Sequence, residues 1–327
     1  MTPFEVGTVT LGGKFQEFDV VILENEFLRV AVLPQIGAKI NEFFDKRIKK
    51  DLLFHHPRVE VRHPTFGLNV DNWWSGGIDD AFPTGHPCLV EGEELPFLGE
   101  VWSLPWQVTQ SSPHSITLTR FGIITPFKLE RTMRLLPDSQ YLELEYSITN
   151  VGYVAFDYLW GFHPALPIGE NTKISVPAKL AWHGDGIKQN DFSEDFYSGG
   201  KPQNWPIRSI SQPPGKTAIT WNHLYLSDLS DGWLAVSDEK SDWGFGVQFE
   251  QELFSHVHIW IVDGGWRGIR TAVVEPWTGR PARLDQAIEQ GFSRKLEPGH
   301  NVQTAIKLIA FKPHGEIQGF DEKGNQK

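Results

Sequence analysis

The sequence is poor in the features on which disulfide-bonded, secreted and membrane-spanning proteins depend. Its 327 residues contain one cysteine, Cys88, which excludes an intramolecular disulfide and agrees with a reducing compartment. No apolar run approaches the roughly 18 residues of a membrane-spanning helix. The first residues, MTPFEVGTVTLGG, show neither the basic region nor the apolar stretch of a signal peptide. We therefore expect a cytoplasmic protein with no membrane partner.

Motifs for nucleic acid, nucleotides and nucleophilic catalysis are absent as well. The net charge is −11 and the sequence contains no long basic run, so we do not expect a surface patch that neutralises nucleic-acid phosphates. The sequence has no G-x-x-x-x-G-K-[ST], no G-x-G-x-x-G after a strand and no G-x-S-x-G elbow. Cys88 follows a proline without a helix start that would lower the pKa of its thiol, which favours a bystander role. We expect neither a nucleic-acid partner nor a cofactor.

Period-two alternation of apolar and polar residues dominates what is present. It predicts strands in FLRVAVLP (27–34), KINEFF (39–44), SITLTRFG (115–122), YLELEYSI (141–148), GWLAVSD (232–238), GFGVQFE (244–250), VHIWIVD (257–263) and TAIKLIAFK (304–312). Helical periodicity is confined to a short stretch before Gly291. The pattern predicts an all-β sandwich, formed by a single domain over residues 1–327 with little helix. We expect residues 182–214 to form a long loop and residues 320–327 to be a frayed tail.

Aromatic residues are abundant, with 13 Trp, 22 Phe and 6 Tyr. A large β core explains many of them, because aromatic side chains pack well between sheets. A carbohydrate site is the alternative, because flat rings stack on the apolar faces of sugars. Abundance alone favours the core.

Two titratable residues stand in similar sequence contexts. His163 follows an aromatic run and precedes Pro164, and Glu275 follows the run TAVV and precedes Pro276 and Trp277. We expect each of them to end a strand, so that both meet at one edge or face of the sandwich. Imidazole and carboxyl groups together form an acid/base pair near neutral pH. A strand-end histidine and a surface glutamate at a turn are the structural alternatives.

His256 and His258 are two residues apart in a predicted strand and so share a face with Trp260. The pair is a candidate for metal binding, but no third ligand stands at a recognisable spacing. A polar face that lines a pocket is the interpretation we favour, and we expect no metal.

Five segments together resemble the aldose 1-epimerase (galactose mutarotase-like) superfamily. They occur in the order expected for that superfamily and cover most of the chain. These segments are FLRVAVLPQIGAKI (27–40), WWSGGIDDAFPT (73–84), LELEYSITN followed by a histidine (142–163), VVEPWTG (273–279) and LEPGHNVQTAIKLIAF (296–311). The resemblance implies a β-supersandwich that binds a sugar, with His163 as general acid and Glu275 as general base.

The sequence also departs from the galactose mutarotase pattern. His163 lies in GFHPAL rather than an N-H-x-Y-F-like motif, and the loop WSGGIDD has no second histidine. Asp79 or Asp80 is expected to bind substrate hydroxyls instead, and Asn222-His223, in WNHLYLSD, is the nearest counterpart of the sugar-binding aspartate. The expected substrate-binding residues are Trp74, Asp79, Asp80, His223, His258, Trp260 and Trp277.

The leading interpretation is an isomerase that interconverts the anomers of a free or modified sugar, as a monomer or homodimer. The alternatives are a non-catalytic carbohydrate-binding protein and another sugar isomerase or lyase on the same scaffold. Arg62, Arg267 and Arg280 are candidates for binding a phosphate or carboxylate on the sugar, and the sequence does not choose among them.

Overall fold

The computed structural model describes residues 7–187, 190, 192–198, 200–213 and 219–327. The elements in chain order are β1 (Thr8–Phe15), β2 (Phe18–Glu24), β3 (Leu28–Leu33), β4 (Lys39–Asp45), β5 (Lys50–Asp51), a 3₁₀ turn (Val70–Asn72), β6 (Ile78–Ala81), β7 (Cys88–Val90), β8 (Glu93–Leu95), β9 (Gln107–Ser112), β10 (Ser115–Phe121), β11 (Phe127–Arg134), β12 (Tyr141–Asn150), β13 (Phe156–Tyr158), β14 (Gly161–Pro167), β15 (Lys173–Ser175), β16 (Leu180–Gly186), α1 (Glu194–Ser198), β17 (Gln203–Asn204), α2 (Arg208–Ser211), β18 (Thr220–Ser227), β19 (Trp233–Asp238), β20 (Trp243–Phe249), β21 (His256–Asp263), β22 (Arg270–Trp277), α3 (Leu284–Glu289), β23 (Arg294–Leu296) and β24 (Asn301–Phe311).

Two large antiparallel sheets form the protein. The first sheet has the order β1-β2-β3-β4-β6-β14-β22-β21-β18-β16-β17, with β5 paired to β4. The second sheet has the order β15-β19-β20-β24-β12-β11-β10-β9. Two short two-stranded sheets, β13 with β23 and β7 with β8, lie outside them. The predicted all-β sandwich is therefore confirmed.

One apolar core joins the inner faces of the two sheets. Leu142, Leu144, Tyr146 and Ile148 of β12 are all buried in it, as the alternation of YLELEYSI predicts. Phe43 of the first sheet meets a phenylalanine of the second edge to face, with ring centroids 5.4 Å apart. The helix expected before Gly291 is α3, and Gly291 ends it with a φ of 73°. In the described residues, no helix is long and apolar enough to cross a membrane.

The structure corrects the expectation that His163 and Glu275 end their strands. β14 continues through Pro164 to Pro167, and β22 continues through Pro276 to Trp277. Proline lacks the N–H that a regular ladder uses. β14 accommodates Pro164 because its pairing with β22 skips residues 162–164 and resumes at Ala165. Both functional candidates therefore lie inside rigid strands.

Two expectations about loops and ends are also corrected. The segment expected as one long loop begins as β16, which pairs with β18, and then forms α1, β17 and α2. Residues 188, 189, 191, 199 and 214 of that segment lie outside the described residues. The tail expected to fray folds back instead. Phe320 is buried against Trp233 and Phe311, and the Lys327 N–H donates to the Gly319 carbonyl.

Candidate active site

A cavity of about 240 Å³ lies on the face of the first sheet that points away from the main core. Alternation along the strands separates the two faces. On β21, Val257 and Ile259 are buried in the core, whereas His258 and Trp260 line the cavity. The volume is below the roughly 300–1,000 Å³ of sites for drug-sized ligands, so the cavity fits a ligand of monosaccharide size.

The strand register brings His163 and Glu275 together. Gly161 pairs with Trp277 and Ala165 pairs with Val273, so the register on both sides of the unpaired stretch places His163 and Glu275 at matching positions on β14 and β22. On its other side, Glu275 pairs with His258 of β21. The three side chains form a row across neighbouring strands, and all three line the cavity.

Glu275 is a buried carboxyl group with one neighbouring donor. Its Oε2 accepts a hydrogen bond of 2.9 Å from the Trp277 indole Nε1. Burial raises the pKa of Glu275 well above its ordinary value, and the Trp277 bond opposes this only partly. Gly161 makes room for the indole, because a Cβ at that position would lie 2.1 Å from the Trp277 ring. Trp277 also stacks on His258, with ring centroids 4.6 Å apart and planes 10° apart.

His163 is half-buried, and its ring meets the Trp74 indole edge to face at 6.0 Å. Removal from water lowers the pKa of His163 to about 3, and the positive charge of Lys39 acts in the same direction. Its Nδ1 is buried without a hydrogen-bond partner among the described residues. His163 is therefore a neutral imidazole at physiological pH.

Indoles form much of the wall of the cavity. Trp260 meets Trp74 edge to face at 5.5 Å and Trp266 at 5.3 Å. Trp221 and Phe97 add further aromatic surface. Rings of this kind provide the apolar surfaces on which sugar rings stack.

The remaining polar lining is neutral or acidic. Burial lowers the pKa values of His86, His223 and His258, so these imidazoles are uncharged near neutral pH. Asp71 and Asp185 also line the cavity. No Lys or Arg side chain lines it in the part of the chain that the structure describes. The same residues contain no group of three His, Cys, Asp or Glu side chains arranged to hold a metal ion.

Seven sequence-predicted residues lie at this cavity, namely Trp74, His163, His223, His258, Trp260, Glu275 and Trp277. The sequence reasoning missed His86, Asp185 and Trp266. His86 and Trp266 lie in irregular segments, where the spacing of residues in the sequence does not predict the direction in which a side chain points. Asp185 lies at the end of β16, in the segment interpreted as a loop.

Asp79 and Asp80, which we expected to bind substrate, are not among the residues that line the cavity. Asp79 is completely buried and forms an ion pair of 2.6 Å with Lys39. Asp80 points into the core and forms an ion pair of 2.8 Å with Arg131. Both lie on β6, so the segment that the sequence presented as a loop is a strand inside the sheet. Their carboxyl groups balance buried cations rather than meeting a ligand.

The candidate anion-binding residues and His256 lie elsewhere. Arg62 stacks on Trp73 at 4.1 Å and is outside the cavity. Arg267 lies at the rim, where it stacks on Trp266 at 4.4 Å and donates to the Asp71 carbonyl. Arg280 and His256 line a different cavity on the same face of the sheet.

Comparison with known proteins shows the fold. A family described as a domain of unknown function, DUF5107, matches residues 6–95. A TPR-domain containing protein from Parabacteroides distasonis superposes with a TM-score of 0.71 at 13% identity, over 93% of this chain and 49% of that one. A candidate aldose 1-epimerase from Klebsiella pneumoniae superposes with a TM-score of 0.70 at 17% identity, over 92% of this chain and 81% of that one.

A galactose mutarotase-like protein from Clostridium acetobutylicum gives a TM-score of 0.68 at 12% identity, over 94% of this chain and 100% of that one. The resemblance seen in the sequence is therefore confirmed at the level of the fold, which is that of the galactose mutarotase-like proteins.

Proposed function

We propose that the protein is an aldose 1-epimerase-like isomerase that interconverts the anomers of a sugar held in the aromatic cavity. One observation carries the proposal: His163 and Glu275, at matching positions of neighbouring strands, line one cavity walled by indoles. A sugar ring stacked on that wall would have a carboxyl group and an imidazole beside it.

The reaction needs one proton acceptor and one proton donor. The acceptor takes the proton of the C1 hydroxyl, the bond between C1 and the ring oxygen breaks, and the donor protonates the ring oxygen. The resulting aldehyde turns about its C1–C2 bond, and the reverse steps close the ring from the other face. Positioned groups of this kind contribute about 10²–10⁴-fold each.

Burial decides which group holds the single proton of the pair. It favours a protonated Glu275 and a neutral His163, which makes Glu275 the donor and His163 the acceptor. This is the reverse of the assignment that the resemblance implies. Either assignment provides one acid and one base, and each proton transfer exchanges the two roles.

The lining favours an uncharged sugar ring inside this cavity. Asp71 and Asp185 are acidic, and no described Lys or Arg lines the walls, so a phosphate or carboxylate here would be desolvated without a cation. Hydroxyl groups, in contrast, find both donors and acceptors among the neutral imidazoles.

Anomeric exchange of a panel of aldoses, measured by NMR exchange spectroscopy, tests the proposal. The wild type should accelerate exchange of at least one sugar. Glu275→Gln keeps the shape of the side chain but removes its acid/base function, so it should lose about 10²–10⁴-fold in rate while the sugar still binds. Glu145→Gln, on the exposed side of β12, is the matched control and should exchange like the wild type.

Binding without any acceleration in the wild type would reject the isomerase proposal in favour of a carbohydrate-binding protein. An unchanged rate in Glu275→Gln would reject the role of Glu275.

A further inference from the structure

A second cavity, of about 420 Å³, lies beside the candidate active site on the same face of the first sheet. His256 of β21, Ser227 of β18 and Trp182 of β16 line it, together with Arg280 from the segment after β22. His256 and His258 are two residues apart, so the two cavities are neighbours at a spacing of roughly 7 Å along β21.

Two aromatic rings contact Arg280 in this cavity. Its guanidinium carbon is 4.0 Å from the centre of the Trp182 ring and 4.5 Å from that of Phe292. A guanidinium donates its hydrogen bonds in its own plane, so ring contacts of this kind orient its N–H groups without consuming them. Its Nε is buried and has no hydrogen-bond partner, and no carboxylate forms an ion pair with Arg280, among the residues that the structure describes.

The imidazole that lines the cavity with Arg280 is neutral. Burial and the positive charges of Arg280 and Arg294 together lower the pKa of His256 to about 4. Asp228 also lines the cavity, but it is exposed and forms no ion pair with Arg280. A partly buried cation without a counter-charge is unfavourable, so the cavity gains stability when an anion enters.

A hydroxyl group adds a second donor. The Ser227 Oγ accepts a hydrogen bond of 3.1 Å from the Trp182 indole, which leaves its own hydrogen free to donate. The Ser255 Oγ lies 3.0 Å from the His256 Nδ1 and donates to the Thr278 carbonyl at 3.3 Å, so its hydrogen is already used. A guanidinium edge with a hydroxyl group in the same cavity suits the oxygens of a phosphate or a carboxylate.

We propose that the cavity around Arg280 binds a small oxyanion, a phosphate or a carboxylate group. The anion is either free or a substituent of a sugar whose ring occupies the neighbouring cavity; only the second case depends on the proposed function.

Titration with inorganic phosphate and with acetate, followed by calorimetry and tryptophan fluorescence, tests the proposal without any sugar. The wild type should bind one of them saturably. Arg280→Gln keeps a planar donor group but removes the charge, and it should weaken binding by at least about tenfold. Arg62→Gln is the matched control, because Arg62 also stacks on an indole but lies outside both cavities. Equal affinity in Arg280→Gln and the wild type, or no saturable binding in the wild type, would overturn the proposal.

An NMR titration of His256 in the wild type gives a second measurement that does not depend on the folding of a variant. A phosphate near its ring should raise the pKa of His256, and an unchanged pKa at saturating phosphate would overturn the site.

Comparing a hexose with its 6-phosphate identifies the source of the anion. If the sugar phosphate binds more tightly than the hexose or inorganic phosphate alone, and Arg280→Gln loses only this additional affinity, the anion is a substituent of a sugar that spans both cavities. Phosphate affinity that is independent of sugar supports a free anion. Glu275→Gln should leave phosphate binding unchanged, so failure of the isomerase proposal and failure of the anion site are distinguishable.

Discussion

Glu275 and His163 differ from ordinary surface groups because little water reaches either of them. Burial raises the pKa of the carboxyl group and lowers that of the imidazole, so the two uncharged forms are favoured together. The Trp277 indole is the protein group that favours the ionised carboxylate. The acid/base properties of the pair thus depend on a small number of contacts.

The dependence of the exchange rate on pH follows from these shifts. The active form carries one proton on the pair. As pH rises, this form is lost when Glu275 ionises, and the raised pKa of Glu275 puts that step well above pH 4.5. As pH falls, the form is lost when His163 is protonated, because the pKa of His163 is about 3. We therefore expect a rate that stays level through pH 4.5 and falls on the alkaline side. NMR exchange rates from pH 4 to 9, with circular dichroism at each pH to monitor folding, measure the profile.

Trp277→Phe keeps an aromatic ring but removes the hydrogen bond to the carboxylate. The variant should move the alkaline limb to higher pH, because the ionised form loses its donor. A rate that rises as pH increases through 4.5 would show instead that Glu275 acts as an ordinary ionised base.

Single residues were predictable from the sequence where a motif or a strand face identified them. His258 and Trp260 alternate with core residues, and that period is visible in VHIWIVD. His86 carried no comparable signal, because its position depends on contacts of an irregular segment that spacing does not encode. The ion pairs of Asp79 and Asp80 were not predictable, because their partners, Lys39 and Arg131, are distant in sequence.

At the scale of elements, the adjacent strands β14 and β22 determine the geometry of the site. The sequence suggested that prolines end both strands, because proline cannot donate to a ladder. Long-range pairing overrides this local preference: β6 pairs with β14 through Pro164, and β21 pairs with β22 through Pro276. Local composition does not reveal which strands pair with β14 and β22. The gap in the pairing between these two strands could therefore not be predicted.

Gly161 of β14 allows the close approach of Trp277 on β22. Gly161→Ala would place a Cβ against the rigid Trp277 ring, at 2.1 Å before relaxation. Overpacking of this kind typically costs about 1–3 kcal/mol in the free energy of unfolding. Displacement of Trp277 should also weaken its bond to Glu275 and reduce the exchange rate. Urea denaturation and the indole N–H resonance of Trp277 measure the two effects.

Gly169→Ala is the control for this substitution. No atom lies within 4 Å of a Cβ built at Gly169, so the variant should unfold and exchange anomers like the wild type. Wild-type stability in Gly161→Ala, with an unshifted Trp277 resonance, would contradict the role given to the glycine.

At the scale of the whole molecule, the period-two pattern was sufficient to predict the architecture. Strands such as β10 and β12 each direct one apolar face inward, and packing these faces together leads to two layers with a shared core. The order of the strands was not predictable in the same way. In the first sheet, β6 lies beside β14, and β14 lies beside β22, so residues distant in sequence become neighbours.

The C-terminal segment shows the limit of a compositional argument. DEKGNQK is polar, which is typical of a frayed end. However, Phe320 precedes it and packs on the outer face of the second sheet, with ring centroids 5.1 Å from Phe311 and 6.3 Å from Trp233. Behind this anchor, the Asp321 carboxylate accepts hydrogen bonds from the Lys323 and Asn325 N–H groups. One buried aromatic residue therefore holds the segment in place.

Phe320→Ala should lower the free energy of unfolding by about 3–5 kcal/mol, the usual cost of removing a buried phenylalanine side chain. Tyr153→Ala is the control, because Tyr153 is 98% exposed, and its loss should change stability by no more than about 0.5 kcal/mol. Urea denaturation followed by tryptophan fluorescence compares the two variants with the wild type. If Phe320→Ala unfolded at the same urea concentration as Tyr153→Ala, the C-terminal segment would contribute nothing to the fold, and the compositional expectation of a frayed tail would be correct after all.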